Sequence, residues 1–179
     1  MSSLVALIIA KGKSKRLPEK NRKEFRGKPM FLWNVEKCLK IFSRTYVSSD
    51  DDWILSEAEN AGAIPIKRGE ELCGDIPNIT VYQHALTFMN GVDGIVAVQA
   101  NSPTVKSKLI MEGKRYLEIG VQEVLTSHPD GEKYGSIWGL STKRLENYPD
   151  PYNPNPDIWI KDWSVDIDTM EDFNRALKQ

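Results

Sequence analysis

Leu4-Val5-Ala6-Leu7-Ile8-Ile9, followed without a break by Ala10-Lys11-Gly12-Lys13-Ser14-Lys15-Arg16-Leu17-Pro18-Glu19-Lys20-Asn21-Arg22-Lys23-Glu24-Phe25-Arg26-Gly27-Lys28, is the stretch on which the reading of the fold turns. The apolar run suits a strand buried on both faces of a parallel sheet. Then the character changes. From Ala10 to Lys28, nine of the chain's 24 Lys and Arg residues stand against two acids, so the loop carries +7 and, with the whole chain at −1, the remainder carries −8. A basic, glycine-containing loop leaving the carboxyl end of a first buried strand is where open α/β sheets place anions, because backbone N–H groups and cations converge there. The expected ligand is a phosphate chain.

Two standard phosphate motifs are absent. A P-loop needs Gly, four residues, then Gly-Lys-Ser/Thr, but the fifth residue after Gly12 is Leu17, and Gly27-Lys28 runs into Pro29 with Arg22 five positions before Gly27. The dinucleotide pattern G-x-G-x-x-G fails at once, since Gly12 is followed by Lys13 and Ser14. The grip on phosphate therefore falls to side-chain cations rather than to a glycine cradle. A charge run by itself reads as a solvated face or a patch for nucleic acid or acidic lipid. Its place after the first strand, together with Ser14 and Asn21, favours a ligand loop.

At 179 residues the chain fits one domain, 1–179, with enough apolar content for a full core. Near-neutral total charge argues against a general nucleic-acid binder. The stretch from Met1 to Ile9 is too short for a secretory signal or a membrane span, and no later apolar run is long enough, so a cytoplasmic protein with no membrane partner is expected. Cys38 and Cys73 lack metal-type spacing; Cys38 falls on a helix's apolar face and Cys73 in a loop. With only two histidines, His84 and His128, a histidine-rich metal site or a serine triad has little to work with.

Strand and helix patterns alternate, the signature of a mostly parallel sheet covered by helices. Pro29 opens a helix with Phe31, Val35, Cys38, Leu39 and Phe42 at helical spacing. Thr45 to Ser48 is a second strand, and Ser49-Asp50-Asp51-Asp52 supplies caps for a helix from Trp53 to Ala61 that Gly62 ends. Capping accounts for these acids, with Asp50 kept as a secondary candidate. Ala63 to Ile66 is a third strand. Asn78 caps a helix with Val81, Tyr82, Ala85, Leu86 and Met89 on its core face, where His84 reads as structural. Gly94 to Val98 is the fourth strand, Ser107 to Ile119 a helix interrupted by Gly113, and Val121 to Ser127 a further strand. From His128 to Asp157 the prolines predict irregular chain. Trp163 to Asp168 is a last strand, and Thr169-Met170-Glu171-Asp172 opens the final helix with a capping box. Alternation sends Asp166 and Asp168 to one face, where two carboxylates can share a cation.

These residues carry a resemblance. Ala10 to Asn21, followed by Gly27-Lys28-Pro29, is similar to the A-R-G-G-S-K-R-I-P-x-K-N…G-K-P signature of the acylneuraminate cytidylyltransferases, the CMP-sialic acid synthetases and their relatives. Lys11 stands where that family has Arg and Lys13 where it has a second Gly, which keeps one charge but loses a planar fork, and adds a Cβ where Gly permits positive φ. Val47-Ser48-Ser49-Asp50-Asp51 resembles V-S-T-D-D, and Arg68 through Asp75 resembles R-P-x-E-L-A-x-D, although Arg68 also has Glu70 and Glu71 beside it as surface partners. Gln99, Ser102 and Pro103 match the Q-P-T-S-P of sialic-type members rather than the Q-G-D-E-P of the Kdo branch. Val165-Asp166-Ile167-Asp168-Thr169 matches S-V-D-I-D-T from its Val onward. The likeness covers all but about residues 128 to 160. There the family carries a longer excursion with its dimer contact and much of its sugar pocket, and this chain is roughly forty residues shorter, the size of a supersecondary insertion.

The resemblance implies a doubly wound, three-layer α/β fold of the nucleotide-diphospho-sugar transferase type. It implies transfer of CMP from CTP to a sialic-acid-like 2-keto sugar acid, with release of pyrophosphate, Mg²⁺ as cofactor and a homodimer as the family's assembly. Lys11, Gly12, Ser14, Lys15, Arg16 and Lys20 would hold phosphates, with Lys20 also in the chemistry. Asn21 and Arg68 would contact the nucleotide, Gln99 would face the sugar, and Asp166 and Asp168 would bind the metal and act in catalysis. Two alternatives stay open: a nucleotide-binding module of the same fold without turnover, and a transferase using another nucleotide or acceptor.

Overall fold

The computed structural model describes residues 2–131 and 134–179. Its centre is β1 (Leu4–Ile9), the apolar run, which pairs in parallel with β4 (Thr45–Ser49) on one side and β6 (Gly94–Val98) on the other. Beyond β4 lies β5 (Ile64–Lys67), also parallel. Beyond β6 lie β8 (Tyr134–Ser141), antiparallel to both its neighbours, then β7 (Glu123–Ser127) and β9 (Ile158–Lys161). The seven-stranded order is β5-β4-β1-β6-β8-β7-β9. Because β8 runs against both β6 and β7, every other strand points the same way, and their carboxyl ends share one edge.

Alternate residues of β1 enter two different cores, as a strand buried on both faces requires. Leu4, Ala6 and Ile8 pack with Val35 and Cys38 of α1 (Leu32–Ile41), Ile54 and Ala58 of α2 (Asp52–Ala61), and Ile110 and Leu117 of α4 (Ser107–Glu118). Val5 and Leu7 pack with Ile79, Tyr82 and Ala85 of α3 (Asn78–Leu86) and Leu145 of α5 (Thr142–Glu146). The expected three-layer, mostly parallel α/β architecture is present. Asp51 caps α2 and Gly62 ends it at φ +103°, as read from the sequence. The capping box of Thr169 and Asp172 opens α6 (Met170–Leu177). No helix among the described residues is long and apolar enough to cross a membrane.

Four expectations are corrected. Asn78 does not cap α3: it is the helix's first residue, Pro77 stands at the cap, and no side chain caps the end. Pro29 does not open a helix: it pairs with Glu24 in a hairpin of β2 (Glu24–Phe25) and β3 (Lys28–Pro29), turned by Arg26 and Gly27 at positive φ, and α1 starts at Leu32. The stretch from His128 to Asp157, whose Glu132 and Lys133 lie outside the described residues, is not irregular throughout, since it contains β8. Gly135, Ser136 and Gly139 dilute the strand pattern there. Gly135 is needed for close approach, because a Cβ on it would lie 2.6 Å from Asp162 Oδ2. Finally, the last strand is Ile158–Lys161, and Trp163 to Asp168 leaves the sheet. The Asp162 amide still donates to Ser127 O at 2.9 Å, but its carboxylate then accepts from the Ser164 amide at 2.9 Å and turns the chain away.

A third, smaller core decides where the site lies. Leu17, Phe25 and Met30 from the basic loop and hairpin pack against Val165 and Ile167, and against Phe173 and Ala176 of α6. This apolar contact presses the start of the chain onto its end.

Candidate active site

Each residue singled out from the sequence follows the carboxyl end of a parallel strand, so one edge of the sheet gathers them all. After β1, the basic loop is folded back and latched. Lys11 O accepts from Asn21 Nδ2 at 2.9 Å, and the Gly12 amide donates to Asp50 Oδ1 at 2.9 Å. Arg22 forks onto Asp51, with Nη2 2.6 Å from Oδ1 and Nε 3.1 Å from Oδ2. Asp51 meanwhile accepts from the amides of Trp53 and Ile54, so the capping role read for these acids falls on Asp51, while Asp50 holds the loop. Burial alone would raise the Asp51 pKa, but the Arg22 fork and the two helix amides outweigh it and hold it below the usual carboxylate value. Gly12 is buried against this latch, where a Cβ would come within 2.5 Å of Asp51 Oδ2. The change from Gly to Lys13 carries no backbone strain, since Lys13 is not among the residues at positive φ.

The latched loop walls a cleft of about 360 Å³ lined by Lys11, Ser14, Lys15, Arg16, Lys20 and Asp168. It adjoins a second cleft of about 170 Å³, which shares Lys11, Lys20, Cys73 and Gly74 and adds Asn21, Arg68, Asn78, Gln99 and Asn101. Expected site residues from four separate stretches of sequence therefore meet around one continuous depression. Cys38 lies in the core as expected, whereas Cys73 lies on the cleft wall.

Three features of this depression are costly unless a ligand meets them. Ser14 Oγ and Asn21 Oδ1 are buried and have no hydrogen-bond partner among the described residues. Arg68 is only 4% exposed, yet no carboxylate pairs with it among the described residues. Its Nη1 donates to Ser48 Oγ at 3.2 Å and its Nε to Cys73 Sγ at 3.3 Å, so the surface pairing with Glu70 or Glu71 is not what forms. A buried guanidinium without a counter-charge is expensive in an empty protein and natural beside an anionic ligand.

Across the cleft, Val165 N donates to Thr104 Oγ1 at 3.1 Å and Ile167 N to Asn101 O at 2.8 Å. With Val165 and Ile167 turned into the small core, Asp166 and Asp168 face the other way, as alternation predicts even though the segment is not a strand of the sheet. Asp168 lies 2.8 Å from Lys20 Nζ and 3.1 Å from Arg16 Nη2. Asp166 accepts from the Ser102 hydroxyl and lies 3.0 Å from Nε2 of His128, a residue the sequence reading passed over. Its place just past the end of β7, on the edge where the site gathers, is the signal that could have marked it.

No group of three or more His, Cys, Asp or Glu among the described residues is arranged as a self-contained metal cage. The donors present suit a different kind of ion. Magnesium is held by one or two carboxylates together with substrate phosphates and its own waters. Asp168 lines the lysine-rich cleft and fits that requirement, whereas Asp166, two positions earlier on the same side of the segment, lines neither cleft and is turned to Ser102 and His128.

The fold and the site define a three-layer α/β protein with a lysine- and arginine-lined cleft at the carboxyl edge of its sheet. The cytidylyltransferase family model matches residues 5–126, from β1 through β7. The chain belongs to the cytidylyltransferase family. It is 31% identical over 116 residues to pseudaminic acid cytidylyltransferase of Campylobacter jejuni, covering 60% of this chain and 50% of that protein. It is 27% identical over 180 residues to N-acylneuraminate cytidylyltransferase A of Danio rerio, covering 97% of this chain and 41% of that one. The chain thus spans about half the length, or less, of these curated relatives. In fold it matches CMP:2-keto-3-deoxy-manno-octonic acid synthetase solved with CTP, with a TM-score of 0.78 at 14% identity over 99% of this chain and 98% of the other. A Mycobacterium tuberculosis protein solved with manganese matches with a TM-score of 0.71 at 14% identity over 99% of this chain and the whole of the other.

Proposed function

We propose that this chain transfers CMP from CTP to a sialic-acid-like 2-keto sugar acid, releasing pyrophosphate, and that Mg²⁺ assists. The observation that carries the reading is the buried Arg68, which has no carboxylate partner among the described residues, in the same cleft as Asn21 Oδ1, which has no hydrogen-bond partner among them, continuous with the cleft that Lys11, Lys15, Arg16 and Lys20 line. The smaller cleft takes the nucleoside, against Asn21, Arg68 and Asn78. The larger takes the β- and γ-phosphates. Ser14 borders the phosphates, whereas the Gly12 amide, expected there, is taken by Asp50 in the latch, so Gly12 shapes the loop instead; Gln99 and Asn101, which follow β6, face the acceptor.

In the reaction the anomeric hydroxyl of the sugar acid attacks the α-phosphorus, the bond from that phosphorus to the bridging oxygen breaks, and pyrophosphate leaves with its electron pair. The hydroxyl proton passes to solvent water as the new P–O bond forms. Little covalent chemistry is asked of the protein, which has to align the groups and neutralise charge. Lys11, Lys15, Arg16 and Lys20 offset charge growing on the leaving group, and the latch of Arg22 on Asp51 keeps their loop in place. Asp166 and Asp168 would hold the divalent ion, which when bound supplies further neutralisation and makes a coordinated hydroxyl more acidic.

The sialic-like side of the acceptor range is favoured because the turn after β6 holds Gln99, Ser102 and Pro103 and no acid. Pyrophosphate release measured with CTP, UTP, GTP and ATP against a panel of N-acetylneuraminic, pseudaminic and 2-keto-3-deoxyoctonic acids tests all parts together. Release with CTP and a nine-carbon acid is expected. Tight CTP binding with no release for any acid would make the chain a binding module, and release with another nucleotide would overturn the choice of base. A homodimer belongs to the same reading, and sedimentation at micromolar concentration measures it.

A further inference from the structure

Asp166 and Asp168 stand two positions apart, yet their surroundings differ in kind. Asp168 is met by two cations, Lys20 and Arg16. Asp166 has no Lys or Arg partner among the described residues. Its Oδ1 accepts from the Ser102 hydroxyl and its Oδ2 lies 3.0 Å from Nε2 of His128. Ser102 is fully buried, and His128 and Asp166 are partly buried, with side chains 14% and 19% exposed.

Both donors are themselves fixed. The Ser102 carbonyl accepts from Asn34 Nδ2 of α1 at 2.9 Å. The turn that carries His128 is closed by the Gly131 amide on His128 O at 2.9 Å, and the strand before it is pinned where Ser127 O accepts from Asp162 N at 2.9 Å. Asp166 is held from its own side by the backbone bonds of Val165 and Ile167 to the loop after β6. Segments following β6, β7 and β9 thus converge on one carboxylate. A carboxylate that only solubilises the surface has no use for two aligned donors from two further segments. One that ligates a metal does, because hydrogen bonds from behind fix which lone pairs face the ion.

We propose that His128 is a positioning residue which, with Ser102, orients Asp166 to hold the divalent cation of the nucleotide complex; this rests on the cytidylyltransferase reading above. Each oxygen of Asp166 has one protein partner, so a lone pair on each would remain for a cation. His128 acts through Asp166 and does not touch the ion. Asp168, committed to Lys20 and Arg16, contributes the second oxygen donor at the cost of loosening one of those pairs.

The probe is Mn²⁺, titrated into the CTP-bound protein and followed by electron paramagnetic resonance, with CTP affinity measured separately without metal. His128→Ala is expected to weaken Mn²⁺ binding by about 10- to 100-fold, the usual cost of losing such a support, with metal-free CTP affinity unchanged. His128→Gln, whose amide N–H can reach the same carboxylate oxygen, is expected to recover most of the loss. Ser102→Ala carries the same expectation from the opposite oxygen and serves where His128→Ala does not fold. Equal Mn²⁺ affinity in wild type and His128→Ala would overturn the proposal. So would a spin-echo signature of nitrogen bound directly to Mn²⁺ in the wild type, which makes His128 a ligand. Failure of the parent reading looks different: the wild type itself then shows no CTP-dependent Mn²⁺ site, and the proposal falls with it.

Discussion

Lys20 Nζ and Asp168 Oδ1 lie 2.8 Å apart although 148 positions separate them in the chain. The pair closes the basic loop that follows the first strand onto the acidic segment that precedes the last helix. Beneath it, Leu17 and Phe25 pack on Val165, Ile167 and Phe173, so apolar burial does the assembling and the ion pair fixes the register. The pair is also the point where the cations that line the cleft meet Asp168, so under the proposed function one side chain would serve both the architecture and the ligand.

Lys20→Ala should therefore be felt more in turnover than in folding. A charge-assisted hydrogen bond contributes about 1.5–3 kcal/mol, which corresponds to a fall in kcat/KM for CTP of roughly 10- to 100-fold. The lost pair with Asp168 is partly exposed and should move the melting temperature by only a few degrees. Pyrophosphate release and thermal unfolding of the same preparation measure both. Wild-type kinetics in this variant would show that the basic loop is only a solvated surface.

Arg68 offers a test in which function and stability move in opposite directions. Its guanidinium is buried without a carboxylate among the described residues, held by Ser48 Oγ and Cys73 Sγ. Arg68→Met keeps much of the volume and removes the charge, so the ligand-free protein should be as stable as the wild type or more so, by about 1–2 kcal/mol. The Michaelis constant for CTP should rise at least tenfold while kcat changes less, because a nucleotide contact acts in ground and transition states alike. A loss of kcat at unchanged KM would move Arg68 into the chemical step.

These two residues also show what was legible in the sequence. The abrupt step from Ile9 to Lys11 placed the strand and its loop, because a buried run and a charge cluster are local signals. The Asp166 and Asp168 pair was legible from alternation alone, although the segment is held by single bonds to loop residues and not by a neighbouring strand. The burial of Arg68 was not legible, since Glu70 and Glu71 offered it partners in sequence and only the tertiary fold turns it inward. His128 gave no periodic signal, and its partner Asp166 is 38 positions away. The strand β8 was hidden by glycines whose reason is close contact, of Gly135 with Asp162 and of Gly139 with Val124, again a tertiary fact.

Asp162 governs the course of the acidic segment from inside. It is 1% exposed and has no cation among the described residues, but accepts from Ser136 N and Oγ at 2.5 Å each and from Ser164 N and Oγ at 2.9 and 2.7 Å. Burial alone would raise its pKa, yet these donors outweigh it and the pKa lies below the ordinary 3.8. Because the folded value is the lower one, the stabilisation is complete above about pH 4 and is lost as pH falls through the folded pKa. Asp162→Asn turns one acceptor into a donor facing donors and should cost about 2–4 kcal/mol at pH 7. Urea unfolding from pH 7 down to pH 3 should also show a shallower acid slope in the variant than in the wild type. Parallel slopes would assign the acid loss to other carboxylates.

Asp168→Asn tests the far end of the site and separates two roles for one side chain. If Asp166 and Asp168 only repelled one another in the ligand-free protein, removing a charge would raise the melting temperature. The contacts argue otherwise: Lys20 and Arg16 already neutralise Asp168. The backbone N–H of Asp168 goes to Asp172 Oδ2 at 3.1 Å and is untouched by the substitution, so the helix cap survives. Arg16 is 67% exposed, so its pair contributes little, and the amide oxygen of the substituted side chain still accepts from the mostly buried Lys20, so the loss should cost about 1–2 kcal/mol. The melting temperature without ligand should therefore stay level or fall slightly. Turnover should fall by a hundredfold or more, since the amide is a weak ligand for a hard divalent ion and the paired carboxylates are what neutralise the phosphates through it. The rise in melting temperature that CTP and Mg²⁺ together give the wild type should shrink to that given by CTP alone. Calorimetry with and without each ligand, beside pyrophosphate release, reads all of these. A variant with wild-type turnover would refute the metal role, and one that unfolds at room temperature would make Asp168 a structural clamp for the basic loop.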